Sequence, residues 1–169
     1  MGSVLRDLLQ PELEHELAST RNVLALVPEG RGEFRPHPKS STLGALALHV
    51  ASLPSWMGRV LGSTELHLEV LAARTPPPYE SVTAMLALFE EHARAARTAL
   101  SEASDAALVV PWSLKKGGKT LFTLPRHAVV RSFFLSHLIH HRGQLTVYLR
   151  LCDVPLPQVY GPTADAPLF

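Results

Sequence analysis

Between Glu80 and Glu102 no glycine or proline interrupts the chain, and Val82, Met85, Leu86, Phe89, Ala93, Ala96 and Leu100 recur every three or four positions. Strand side chains alternate with a period of two and cannot gather such a set on one face; a helix does. The stretch predicts an amphipathic helix over 80–102, with Glu90 and Arg94 paired at i,i+4 on its wet side. Residues 3–27 repeat the pattern with Val4, Leu8, Leu13, Leu17, Leu24 and Val27, and Pro11 predicts a kink or restart. After a loop over 28–38, Ser40, Ser41 or Thr42 caps a second helix running to about Leu61. Pro54 cannot donate to the carbonyl of Val50, which predicts a bend just after His49. Pro125 opens a last helix that continues to about Leu151. Four long helices in one domain predict an all-α fold, a four-helix bundle. The connection over 62–78, ending in three prolines, is long enough for a crossover. Residues 108–124 predict a short β-hairpin before the last helix, turned at Gly117-Gly118. The proline-rich segment 153–169 reads as an extended tail.

Composition narrows the function classes. At 169 residues the chain corresponds to one domain, 1–169, given about 150 residues per domain. Hydrophobic residues at 46% against 18% charged exclude a mostly disordered chain. Lysine and arginine number 16 against 15 acidic residues, so no basic excess draws the chain to nucleic acid or an anionic membrane. The apolar runs fall well short of a membrane span. One cysteine, Cys152, allows no internal disulfide, and the N-terminus lacks a secretory pattern; both favour a cytoplasmic protein.

Nine histidines remain as the chemistry to explain. His137 and His141 lie about 40° apart on one face of the last helix, one turn from each other. Val130, Phe134, Gln144 and Tyr148 share that stripe, while Arg131 and Arg142 point away from it. Two neutral imidazoles at this spacing reach a single cation. His140, about 60° to the other side of His137, is an alternative partner on spacing alone. His49 sits in the stripe Thr42, Leu46, Leu53, Trp56 and Val60 of the second helix, where a buried imidazole requires a partner. His15-Glu16 begins a zinc-protease motif, but position 19 is Ser. His15, His37, His67, His92 and His127 read as non-ligands. Lys115 to Thr120 ends Gly-Lys-Thr, yet position 113 is Ser and no helix follows, so it reads as an exposed basic hairpin. Trp56 and Trp112 read as core. Cys152 lies just past the last helix with no paired base and reads as structural.

The run His137-x-x-x-His141-Arg142-Gly143-Gln144 resembles the last-helix signature of the DinB/YfiT-like superfamily. Lys39 to Trp56, with Gly44, Leu46, His49, Leu53 and Pro54, is similar to that family's second helix. Leu156-Pro157-x-Val159-Tyr160-Gly161-Pro162 is similar to its usual tail. The resemblance implies a four-helix bundle with a crossover and a three-histidine site for one divalent metal. Carried over by position, the ligands are His49, His137 and His141, which favours His141 over His140. It further implies a homodimer and, among characterised relatives, transferases and isomerases that use bacillithiol, mycothiol or glutathione. The metal is Zn, Ni or Fe, since imidazole suits all of these. Three histidines leave a coordination position open for water or substrate. A thiol bound there loses its proton and becomes a nucleophile toward a small electrophile; a bound water would instead serve a hydrolase. Gln144 and Tyr148 are expected around the site. The rival to an enzyme is a non-catalytic metal- or ligand-binding stress protein. The dimer has a second argument: Leu135, Ile139 and Leu149 project from the far side of the last helix, and Gly44, Ala47 and Ala51 from the second, more apolar surface than one core is expected to cover.

Overall fold

The computed structural model describes residues 3–73 and 77–167. Helix α1 spans Val4–Leu24, and the Ser3 side chain caps it by accepting the Arg6 N–H at 3.3 Å. Asp105 adds a second cap from across the chain, accepting the N–H groups of Val4 and Leu5, each at 3.0 Å. Of the kink or restart expected at Pro11, the restart is not found: α1 runs through it. Leu9 and Leu13, on either side, are both buried, so packing holds the helix where one backbone hydrogen bond is lost.

The second helix is two. Helix α2 is Leu43–Ser52, capped by Thr42, whose side chain accepts the Ala45 N–H; helix α3 is Ser55–Gly62. The break falls at Leu53-Pro54 rather than directly after His49. The Val50 carbonyl, denied an N–H by Pro54, takes that of Leu53 at 3.3 Å in a tighter turn.

The connection after α3 holds structure that periodicity did not reveal. Strand β1 (Glu65–His67) and the short helix α4 (Leu68–Ala72) lie within it. Strand β2 (Pro111–Lys116) pairs antiparallel with β3 (Lys119–Pro125) as the predicted hairpin, and β1 joins the far side of β2 in parallel. The fold is therefore mostly helical with a three-stranded sheet, not all-α with an isolated hairpin. Gly117 and Gly118 both take positive φ, +56° and +73°, as a two-residue hairpin turn requires. Trp112 is fully buried under the sheet and donates its indole N–H to Ser63 Oγ at 3.2 Å.

Helix α5 is Val82–Ser101, capped by Ser81. Its Glu90 pairs with Arg21 of α1 at 2.6 Å, so the expected i,i+4 partner Arg94 is displaced by a tertiary one. The short α6 (Asp105–Leu108) precedes the hairpin. The last helical run begins with α7 (Arg126–Val129), passes through a π-helical segment at Val130–Leu135, and continues as α8 (Ser136–Leu151).

Helices α1 and α2 each pack against both α5 and α8, and α3 packs on α5. Leu13, Leu17, Phe89, Phe134, Leu138 and Leu145 are buried between them. Leu135, Leu149, Ala47 and Ala51 are buried inside the same chain, Gly44 lies under Tyr79, and Ile139 is half-buried. The surface argument for a dimer thus loses its premise: one chain covers these faces. Residues 153–167 of the tail form neither helix nor strand, and Val154, Leu156 and Val159 pack on the core. Among the described residues no helix is long and apolar enough to cross a membrane.

Candidate metal centre

Helix α2 brings His49 against His137 and His141, one turn apart on α8. Their ligating nitrogens all lie within 4.8 Å of one another. His49 Nε2 stands 3.4 Å from His137 Nε2, and the His141 ring centroid is 4.5 Å from that of His49 and 4.6 Å from that of His137. Two imidazole nitrogens about 2.05 Å from a tetrahedral ion are about 3.3 Å apart, so the His49–His137 pair already has the required spacing. The three side chains fit a divalent cation both in donor type and in separation.

His141 is oriented from behind. Its Nδ1 lies 2.7 Å from Gln144 Oε1, an acceptor, so Nδ1 carries the proton and Nε2 keeps its lone pair for the cluster. Gln144 was expected near the site and is found there. Tyr148 is near it too, but its hydroxyl donates to the Ser41 carbonyl at 3.2 Å and its ring meets Phe34 edge-on. It holds the loop beside the centre and touches none of the three imidazoles.

Electrostatics keep the cluster neutral. Burial pushes His137 from its ordinary 6.5 down to about 4, helped by the neighbouring His141, His49 and His140. Burial also lowers His141, opposed by its bond to Gln144. His49 is lowered by the protein packed around its ring and then by His141, although the residue's outer edge is open to solvent. That exposure corrects the expectation of a histidine sealed in an apolar stripe. The core face of α2 is Leu43, Ala47, Val50 and Ala51, and His49 stands about 100° round from Val50. It is the wet rim of the centre.

The rest of the stripe also shifts. Phe134 is sealed in the core, while Phe133 packs on His137 at 5.9 Å between ring centroids and on Trp56 at 5.1 Å. A π-helical turn takes up one extra residue, so upstream positions slip round the helix relative to the α-helical count. No signal in one sequence marks such a turn. Phe133 itself was visible, four residues before His137.

The remaining histidines stand outside the cluster. His140 is exposed and meets His141 edge-to-face, with ring centroids 4.8 Å apart. His37 Nδ1 accepts the Lys39 N–H, His67 meets Glu65, His127 reaches the Leu108 carbonyl, and His15 stacks on Tyr160. His92 reaches the Ala51 carbonyl. Cys152 is half-buried beyond the end of α8. An open cleft of about 620 Å³, lined by Ser41, Leu46, His49, His141, Gln144 and Tyr148, leads to the imidazoles from one side. Its size suits a small molecule.

The sequence profile of the DinB family matches residues 6–167. The chain belongs to the DinB family. Solved structures agree on the fold. A DinB-like protein from Bacillus cereus ATCC 10987 superposes with a TM-score of 0.70 at 22% identity, covering 89% of this chain and 95% of its own. A protein from Exiguobacterium sibiricum 255-15, described as a candidate DinB family member, gives 0.67 at 16% identity, with 94% and 98% covered. A DinB-like protein from Bacillus subtilis gives 0.64 at 14%, with 92% and 97% covered. At these identities the likeness is one of fold. No curated protein matches this DinB family chain.

Proposed function

We propose that this chain is a metal-dependent enzyme that transfers a low-molecular-weight thiol to a small electrophile, with His49, His137 and His141 holding one divalent ion. The observation that carries the reading is the convergence of three neutral imidazoles at the end of an open cleft. A structural zinc site uses four protein ligands and is closed; three ligands facing a cleft leave room for a reactant. When bound, the ion supplies a positive charge that lowers the pKa of a thiol beside it.

The chain's own groups do the rest. Gln144 fixes the tautomer of His141 and directs its lone pair inward. Phe133 and Trp56 wall the far side of His137, which keeps water from that face. Leu46 gives the cleft an apolar floor for an electrophile, with Val147 at its exposed rim. In this reading α1, α2 with α3, α5 and α8 are the four members of a bundle, and the segment between α3 and α5 is its crossover. A homodimer is proposed on the family resemblance alone, and a cytoplasmic location on the single cysteine.

The test is metal analysis of the purified protein, followed by conjugation of glutathione or cysteine to 1-chloro-2,4-dinitrobenzene with and without chelator. Turnover that disappears on chelation and returns with zinc, nickel or iron(II) supports the enzyme. A stoichiometric metal with no thiol-dependent turnover returns the chain to the reading of a binding module.

A further inference from the structure

His140 stands outside the three-histidine cluster, yet it is as close to one member as the members are to one another. The His140 and His141 ring centroids are 4.8 Å apart, while the three pairs within the cluster span 4.5 to 5.2 Å. The ring of His140 is also free. It is exposed, and among the described residues no hydrogen bond or ion pair engages it. Its place on α8 turns it toward the first cleft. At 100° per residue it lies about 20° from Val147 and about 40° from Gln144 round the helix. Both of these line that cleft, so His140 sits on the same flank of α8, one turn before Gln144. No carboxylate is among the residues lining the cleft. A hydrated cation arriving on this side meets imidazole nitrogen as its first strong donor. Taking a charge out of water in one step is costly, and ligands that replace water one at a time avoid that cost.

We propose that His140 is the capture ligand of the metal centre: with His141 it forms a surface pair that takes a divalent cation from solvent and passes it inward. His141 keeps its hold while His137 and His49 replace His140, which then returns to solvent. Gln144 keeps the proton on His141 Nδ1 throughout, so the same Nε2 serves both stages. His140 touches the ion neither in solvent nor in the finished site. It therefore speeds entry and exit by the same factor and leaves the final affinity unchanged. This inference rests on the three-histidine metal site proposed above and is independent of the thiol chemistry.

The experiment follows cobalt(II) entering the metal-free protein by stopped-flow absorption at neutral pH, and its release to excess EDTA. His140→Ala, at an exposed position where folding is not at risk, is expected to slow association and release alike, at least about fivefold, with the equilibrium affinity within about twofold of the parent's. His140→Glu, which keeps a donor at the position, is expected to regain most of the rate, as a purely structural role would not allow. An unchanged association rate in His140→Ala overturns the proposal. Slowing in Glu33→Gln instead overturns it in favour of entry by a second cleft, of about 590 Å³, which Glu33 and His92 line beside His49. An equilibrium affinity that falls as far as the association rate does makes His140 a resident ligand and overturns the proposal as well. A parent protein that binds no cobalt overturns the metal site itself, and this inference with it.

Discussion

Arg142 Nη1 lies 2.7 Å from Glu16 Oε2, and the two side chains are 1% and 3% exposed. The pair ties α8 to α1 one residue beyond His141. Arg142 also donates to the Glu16 carbonyl and to Thr20 Oγ1, each at 3.2 Å. From the tail, Tyr160 donates its hydroxyl to Glu16 and sets its ring 5.4 Å from the guanidinium carbon. Removing one member leaves the other charge buried alone, which costs about 3–5 kcal/mol. Arg142→Ala is therefore expected to lose about that much in urea unfolding. The double variant Glu16→Leu with Arg142→Met should recover a large part of the loss, since no lone charge remains. A loss under about 1 kcal/mol in the single variant would show that water reaches the pair.

This ion pair marks where sequence reading stopped. Periodicity placed Arg142 away from the histidines, which is correct, and a charged residue there is ordinarily taken as solvated. Only the packing of α1 against α8 reveals that this face is interior. The helices and the Gly117-Gly118 turn were legible because their signals are local: spacing, caps, and positive φ at the two glycines. Strand β1 was not, since three residues pairing with β2 some 48 positions later leave no local period. The π-helical segment hid for a different reason: its residues are ordinary helix formers, and the slip shows only in which of Phe133 and Phe134 meets His137. The three-histidine set was legible in part. Spacing left His140 open against His141, and geometry places only His141 in the cluster.

That geometry predicts the outcome of single substitutions. His49→Ala and His141→Ala are expected to abolish stoichiometric metal binding, whereas His140→Ala, whose ring lies outside the cluster, should retain it. Metal content after gel filtration is the measurement. Equal loss in all three variants contradicts the assignment, and retention in His141→Ala with loss in His140→Ala reverses it.

Gln144 should matter through His141. Without the bond at 2.7 Å the imidazole is free to rotate and to place its proton on either nitrogen. Losing such an orienting partner typically weakens metal affinity about 10–100-fold. Gln144→Leu is expected to fall in that range in competition with a chromophoric chelator, with an unchanged melting temperature. Affinity equal to the parent protein's would show that the packing of α2 on α8 orients the ring unaided.

The lowered imidazole pKa values set a pH window. In the unfolded chain these histidines take up protons near 6.5; in the fold His137 does so only at about 4, and His49 and His141 also below 6.5. Between those limits the unfolded state binds more protons. Metal-free protein is therefore fully stabilised by the cluster above pH 6.5 and loses that contribution as pH falls toward about 4. Metal affinity should hold to a lower pH than free imidazole allows, because protons compete late for His137. Melting temperatures of apo-protein from pH 8 to pH 5 test the first point, with His137→Gln as the variant whose slope flattens. A melting temperature that rises on acidification through pH 6 would contradict it.

A dimer would have to use different residues from those the sequence suggested. Leu135 and Leu149 are fully buried in their own chain, so Leu135→Glu should unfold the protein rather than split a dimer. Burying a carboxylate among the core leucines removes apolar packing and adds an unpaired charge, a loss of several kcal/mol by the usual scale. Val147 and Leu151 on α8 are instead 57% and 54% exposed. They lie four residues apart on one face of the helix, so a dimer built on α8 would cover them together. Val147→Glu with Leu151→Glu is therefore the informative variant: a fold that melts as the parent does, with the sedimenting mass falling from twice 18.5 kDa to 18.5 kDa. A parent protein that already sediments at 18.5 kDa at micromolar concentration would remove the proposed homodimer. A double variant that stays at twice that mass would move the interface to another surface.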